Sequence, residues 1–174
     1  MRLIDYVHQG GLIMYILVIL NIIGITIILW KIFSLYSYKS RLDLIAKFIV
    51  DSFEEKTSKS SIGESLKHSL AKDEVDNEMS KLESGLNTVK IIASIAPLLG
   101  LLGTVIGILG AFDVISKKGL SDPSLFAGGI SLALITTVGG LIVAIPHLIG
   151  HNYLVRAIDK IQAKLEDKVF SKVF

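Results

Sequence analysis

Thr104 sits in one long apolar stretch, APLLGLLGTVIGILGAF (Ala96 to Phe112), and Thr136 and Thr137 sit in a second, GGISLALITTVGGLIVAIP (Gly128 to Pro146). With Ser131 they are the few polar side chains at the depth of an apolar core. A hydroxyl both donates and accepts a hydrogen bond, so hydroxyls in such a setting can line a polar path. Each can equally bond the carbonyl one turn back and be an ordinary helix residue. Their neighbours favour the path. Gly100, Thr104, Gly107 and Ala111 fall on one stripe, and Gly129, Ala133, Thr137, Gly140 and Ala144 on another. Small residues three and four apart let helix backbones approach closely, and packing then replaces the hydrophobic effect, which is absent between helices in lipid. Gly100, Gly103, Gly107, Gly129, Ala133 and Gly140 are read as helix-packing positions, and Thr104, Thr136 and Thr137 as pore-lining ones. The stripes are expected to be buried between subunits or against a lumen.

Other residues carry less chemistry. Pro97 and Pro146 each remove a backbone donor from an apolar span, and the carbonyl left over needs a partner in lipid. They read either as kinks that shape a pore or as kinks set by packing. Asp113, near the end of its stretch, can pair with Lys117 four residues on. Asn21 can hydrogen-bond to a neighbouring helix. The four histidines, His8, His68, His147 and His151, form no ligand cluster with a carboxylate. No nucleophile–base pair is visible. Gly100, Gly103 and Gly107 superficially match a dinucleotide fingerprint, but they follow no strand. The absence of cysteine excludes disulfides and thiolate metal sites. No catalytic residue, metal or cofactor is expected.

The elements that must hold these residues are membrane helices. The chain has 174 residues, 51% of them hydrophobic, with mean hydropathy +0.62. That is too apolar for an ordinary soluble domain and too short for a large transporter. Crossing a bilayer takes about 20 apolar residues. Three segments qualify, at about 11–30, 89–115 and 124–150. A cleaved signal peptide fits the first poorly, because the run is too long and lacks a small-x-small site. Lysine and arginine are dense in residues 39–81 and after Arg156, but sparse in the N-terminal tail and in the loop with Lys117 and Lys118. The positive-inside rule then places the N-terminus outside and the C-terminus in the cytoplasm. Trp30, Tyr36 and Tyr38 fit an aromatic belt at the inner face.

Four regions follow: tail and first span over 1–38, a cytoplasmic helical hairpin over 39–88, the second and third spans over 89–150, and a cytoplasmic amphipathic helix over 151–174. In the hairpin, Leu42, Ile45, Ile49 and Phe53 mark one apolar face. Ile62, Leu66 and Leu70, then Met79, Leu82 and Leu86, mark the second helix. A break is expected at Lys56–Ser61, with Ser61 and Glu64 as a capping box. The charges read as a solvated face rather than a nucleic-acid patch. In the last region Leu154, Ile158, Ile161, Leu165 and Val169 form a stripe. It must bury against the hairpin or a neighbouring subunit, or else lie on the membrane surface. Asp122 followed by Pro123 is a helix start, which makes the second and third spans an antiparallel pair.

The run Ala96 to Gly107 (APLLGLLGTVIG) in the second span resembles the ExbB/TolQ/MotA family of proton-channel stator subunits. So do Gly129-Ile, Thr137, Gly140-Leu and Ala144-Ile-Pro146 in the third. Three spans with a cytoplasmic insertion between the first two resemble the ExbB and TolQ layout most. The resemblance implies an all-α multi-pass protein of the bacterial inner membrane in a homo-oligomeric, pentameric ring. The ring would surround single helices of an ExbD-like partner, which supplies a protonatable aspartate. Proton-motive force would then do mechanical work through a TonB-like protein on outer-membrane import. The family's pore-lining threonines correspond to Thr104 and Thr137, and its frequent glutamate to Leu132, so the titrating acid would come from the partner. A TolQ-like role in outer-membrane integrity and a passive scaffold or channel are the alternatives.

Overall fold

The computed structural model describes residues 3–57, 64–120 and 122–173. Six helices follow in order: α1 (Leu3–Gln9), α2 (Gly11–Ser40), α3 (Leu42–Thr57), α4 (Glu64–Glu83), α5 (Leu86–Lys118) and α6 (Ser124–Val173). The described residues contain no strand. Helices α2, α5 and α6 are each long and apolar enough to cross a membrane. The proposed capping box at Ser61 and the apolar position Ile62 lie outside the described residues.

Two helices run further than the apolar stretches alone dictate. α2 continues about ten residues beyond Trp30 without a break, and α6 runs unbroken for 50 residues through Pro146. No glycine or proline interrupts 31–40 or 151–173, so nothing in the local sequence ends either helix at the membrane boundary. Between α5 and α6 the punctuation is explicit. Gly119 takes φ 76°, and its N–H bonds the carbonyl of Ile115 at 2.8 Å, a left-handed helix stop that glycine tolerates best. Asp122 Oδ1 then accepts the backbone N–H of Ser124 at 2.9 Å, the N-cap that the Asp-Pro pair predicts. Hydrogen bonds from the Ser124 side chain, and then from its backbone, hold the Asp122 carboxyl below the ordinary range.

The chain divides into two compact units. The first contains residues 1–28 and 88–151. Its core is Met14 and Leu17 of α2, Ile92 and Ala96 of α5, and Val143 and Ala144 of α6. Outward-facing positions on the same helices, such as Leu98, Leu109, Leu134 and Ile142, are exposed. A helix that presents large apolar side chains outward reads as one solvated by lipid or covered by another copy.

The second unit contains residues 29–87 and 152–174. Leu35 of α2, Ala46, Ile49 and Phe53 of α3, and Val75, Met79 and Leu82 of α4 are buried there. The whole stripe of α6, Leu154, Ile158, Ile161, Leu165 and Val169, is buried with them. It therefore packs inside its own chain, and a helix lying on the membrane surface is ruled out. Gln162 donates to Asp76 at 3.1 Å, Lys168 donates to Asp43, and the rings of His68 and Phe170 stack at 4.5 Å. These contacts tie α6 to both α3 and α4. Of the three residues expected in an aromatic belt, Trp30 and Tyr36 are exposed, whereas the hydroxyl of Tyr38 is buried.

Candidate functional site

The site lies where α5 and α6 run side by side. Its geometry starts from the glycines. A methyl group placed on Gly107 would sit 2.5 Å from the Gly129 carbonyl oxygen, and one on Gly129 2.6 Å from that of Gly107. One on Gly140 would sit 2.6 Å from the Ala96 oxygen, and one on Gly100 2.8 Å from that of Thr136. In each case the obstruction is backbone, which cannot rotate away. The two stripes thus pack against each other within one chain, backbone to backbone. This corrects the expectation that they are buried between subunits or against a lumen: the antiparallel pair pairs one small stripe with the other directly, and little room is left for a third helix.

Close approach brings the threonines together. The hydroxyls of Thr104 and Thr137 are hydrogen-bonded to each other. Thr104 also reaches the carbonyls of Ala133 at 3.2 Å and Gly100 at 3.3 Å. Thr137 reaches the same two, Ala133 at 3.2 Å and Gly100 at 3.4 Å. Two hydroxyls own two protons between them. One can bridge the pair while the other points to a carbonyl, and rotating both hydroxyls reverses the arrangement. Both residues keep partial exposure, so the pair forms a polar notch at the edge of the helix interface.

Thr136 is different. It is fully buried and donates to the carbonyl of Leu132 or Ala133, at 2.9 and 3.0 Å. A methyl on Gly103 would lie 2.3 Å from its Oγ1. Within this chain Thr136 plugs the gap opposite Gly103 and has no surface with which to line a pore. Pro97 and Pro146 both lie inside continuous helices. Asp113 pairs with Lys117 at 2.8 Å, both exposed. Asn21 is half-buried.

Two buried polar side chains escaped the sequence reading. His147 is fully buried. Its Nδ1 lies 2.6 Å from the Val143 carbonyl oxygen, and its Nε2 has no hydrogen-bond partner among the described residues. A methyl on Gly24 would lie 2.0 Å from that Nε2, so the imidazole fills the space that glycine leaves on α2. Lys31 is 2% exposed, with its Nζ 5.2 Å from the centroid of the Trp30 ring. For Lys31 the signal was present: Leu17, Gly24 and Lys31 recur every seven residues, the spacing of a single helix face.

A family model described as the MotA/TolQ/ExbB proton channel family matches residues 41–167, which is most of the chain. This chain belongs to that family. Its members are proton channels rather than a known class of enzyme, and the chain is a multi-pass protein of the inner membrane. "Biopolymer transport protein ExbB" of Aquifex aeolicus (strain VF5) is 43% identical over 97 residues, covering 56% of this chain and 62% of that one. The protein of that name from Helicobacter pylori (strain J99 / ATCC 700824) is 42% identical over 94 residues, covering 54% and 65%. The one from Xanthomonas campestris pv. campestris (strain B100) is 37% identical over 110 residues, covering 60% and 44%. The chain spans less than two thirds of the length of each of these relatives. The family match includes α5, the turn and most of α6.

Proposed function

We propose that this chain is the ring-forming subunit of an inner-membrane stator that turns proton flow into mechanical work. Several copies, five by the family resemblance, surround the single membrane helix of an ExbD-like partner whose aspartate takes up and releases the proton. The work passes to a TonB-like protein and energises import across the outer membrane. In this reading the N-terminus is outside, and the unit built from α3, α4 and the end of α6, which carries most of the chain's lysines and arginines, is in the cytoplasm.

The observation that carries the proposal is the Thr104–Thr137 hydroxyl pair at the edge of the closely packed α5–α6 interface. A pair that can donate or accept with equal ease, and bears no charge of its own, suits a wall facing a titrating carboxylate. It can stabilise the acid as donor to the ionised form or acceptor from the protonated one. Leu132 in place of the family's glutamate leaves α6 without a carboxylate in its span, so the partner supplies the titrating acid. The likeness to relatives named as biopolymer transport proteins favours an ExbB-like client.

The test is energy-dependent uptake of an iron chelate too large for porins, in a strain lacking only this gene. Uptake should be lost, restored by the wild-type gene, and not restored by Thr137→Val, which keeps the volume and removes the hydroxyl. Full uptake with Thr137→Val would refute the hydroxyl role. Normal uptake in the deletion strain, with a leaking outer membrane, would move the reading to a TolQ-like client.

A further inference from the structure

Within the second unit, a groove of about 800 Å³ runs between the last turns of α2 and the part of α6 that follows Asn152. Its composition changes along its length. Ile32 and Tyr36 on α2, with Tyr153 on α6, line the end nearest the apolar spans. Arg156 follows about 4.5 Å beyond Tyr153, and Lys39, Lys160 and Lys164 line the part beyond it together with Leu42 and Ile161. Lys39 is seven residues beyond Ile32, roughly 10 Å along a helix, and Lys164 is eleven beyond Tyr153, roughly 16 Å. Among the described residues no aspartate or glutamate lines the groove. All four cations are exposed, and among the described residues none is in an ion pair.

An apolar trough that leaves a membrane span and ends in four unneutralised cations has the polarity of a phospholipid laid along it. Tyrosines belong at headgroup level, and arginine grips phosphate through two parallel N–H groups. A basic pocket between membrane helices on the cytoplasmic side is a known chemistry for anionic headgroups. A second copy of the chain fits less well. The exposed acids Asp73 and Glu83 of α4 come with no exposed large apolar side chain among its described residues, and the exposed Leu44 and Phe48 of α3 come with Asp51 but with Asp43 already bonded to Lys168, too little acid for four cations.

We propose that this groove seats an anionic phospholipid of the adjacent leaflet. An acyl chain lies against the exposed Ile32, Tyr36 and Tyr153, and the phosphate lies among Lys39, Arg156, Lys160 and Lys164. This goes beyond the proton-driven function and does not depend on which client is served.

The test uses the full chain purified in neutral detergent. Cardiolipin, phosphatidylglycerol and phosphatidylcholine are each titrated in, and bound lipid is counted by native mass spectrometry. The anionic lipids should be retained at least about tenfold more strongly than phosphatidylcholine. The variant K39Q/R156Q/K160Q/K164Q should fall to the phosphatidylcholine level. Ala157→Trp, which fills the groove without changing charge, should also weaken retention. The variant K72Q/K81Q/K117Q/K118Q, with the same charge change elsewhere, should retain lipid as wild type does. Equal retention of all three lipids would overturn the proposal. So would an equal loss in the control variant, which would mean bulk charge attraction only. Displacement by equimolar glycerol phosphate would overturn it in favour of a soluble anion. Absence of lipid together with a cysteine crosslink between two copies through Lys160→Cys would assign the groove to a second chain.

Discussion

Gly107→Ala is the sharpest probe of the α5–α6 interface. The added methyl would sit 2.5 Å from the Gly129 carbonyl oxygen and 2.8 Å from the Ala133 nitrogen, where ordinary contact begins near 3.4 Å. The helices must separate by roughly 0.9 Å at this level, since neither obstruction is a side chain that can swing aside. Overpacking of this kind costs about 1–3 kcal/mol. The gain in helix propensity from Gly to Ala works in the opposite sense by up to about 1 kcal/mol, so the reference is Gly110→Ala. A methyl on Gly110 meets nothing within 4 Å, and it shares the propensity gain. Comparing the two isolates the packing: Gly107→Ala should be less stable than Gly110→Ala by about 1–3 kcal/mol, a shift of about fivefold to 150-fold in the unfolding equilibrium. Titrating purified protein in mixed micelles with a denaturing detergent reads this out. The same separation would stretch the Thr104–Ala133 hydrogen bond from 3.2 Å past the usable range, so uptake should fall as well. Equal stability of the two variants would refute backbone-to-backbone contact within the chain and put Gly107 against lipid.

Gly24→Ala should be severely destabilising, because its methyl would fall 2.0 Å from the buried His147 ring. His147→Ala should restore much of the loss when combined with it, and a Gly24→Ala variant as stable as wild type would sink this packing. The Asp43–Lys168 bond gives a pH dependence. The hydrogen bond from Lys168, and then its charge, lower the Asp43 carboxyl below its ordinary range. A carboxyl lowered by folding contributes stability above its unfolded value, near 4, and loses it as pH falls through the folded value. Hydrogen exchange near the end of α6 should therefore be unchanged from pH 7 to 5 and should rise below about pH 4. The pair is exposed, so the effect is small, and Lys168→Met should abolish it. The same acid response in that variant would refute the assignment.

How much was legible follows from where the information sits. Long helices, the α5–α6 turn and the Asp113–Lys117 pair are local matters, set by apolar length, by Gly119, Asp122 and Pro123, and by four-residue spacing. The buried stripe of α6 was legible as a stripe, but its partner was not. Periodicity shows that Leu154, Ile158 and Ile161 need cover without saying which chain supplies it. The small-residue stripes show the same limit. Spacing fixes that Gly100, Gly107, Gly129 and Gly140 share faces, yet only the register of two antiparallel helices sets Gly107 on Gly129 and Gly100 on Gly140. That register also separates Thr137, at the edge, from its neighbour Thr136, which is sealed against Gly103. His147 was unreadable for a related reason: a lone imidazole in an apolar span has no sequence partner, because what receives it is a missing side chain at Gly24.

The register has a mechanical consequence. A helix pair held by backbone contact at Gly100–Gly140 and Gly107–Gly129 has no side chains at the seam that could change rotamer and let the helices slide. Packed interfaces of this kind shift between discrete arrangements or not at all. The Thr104–Thr137 pair lies between the two contact points in sequence on both helices, and so is held at fixed separation while its protons remain free to rotate. In a proton-driven motor that division suits the static wall: the moving parts at the site are hydrogens, and any larger displacement belongs to the partner helix. Thr104→Val with Thr137→Val should therefore leave detergent stability near that of the single variants while abolishing coupling. A large extra loss of stability in the double variant would show that the pair holds the helices together rather than facing the proton.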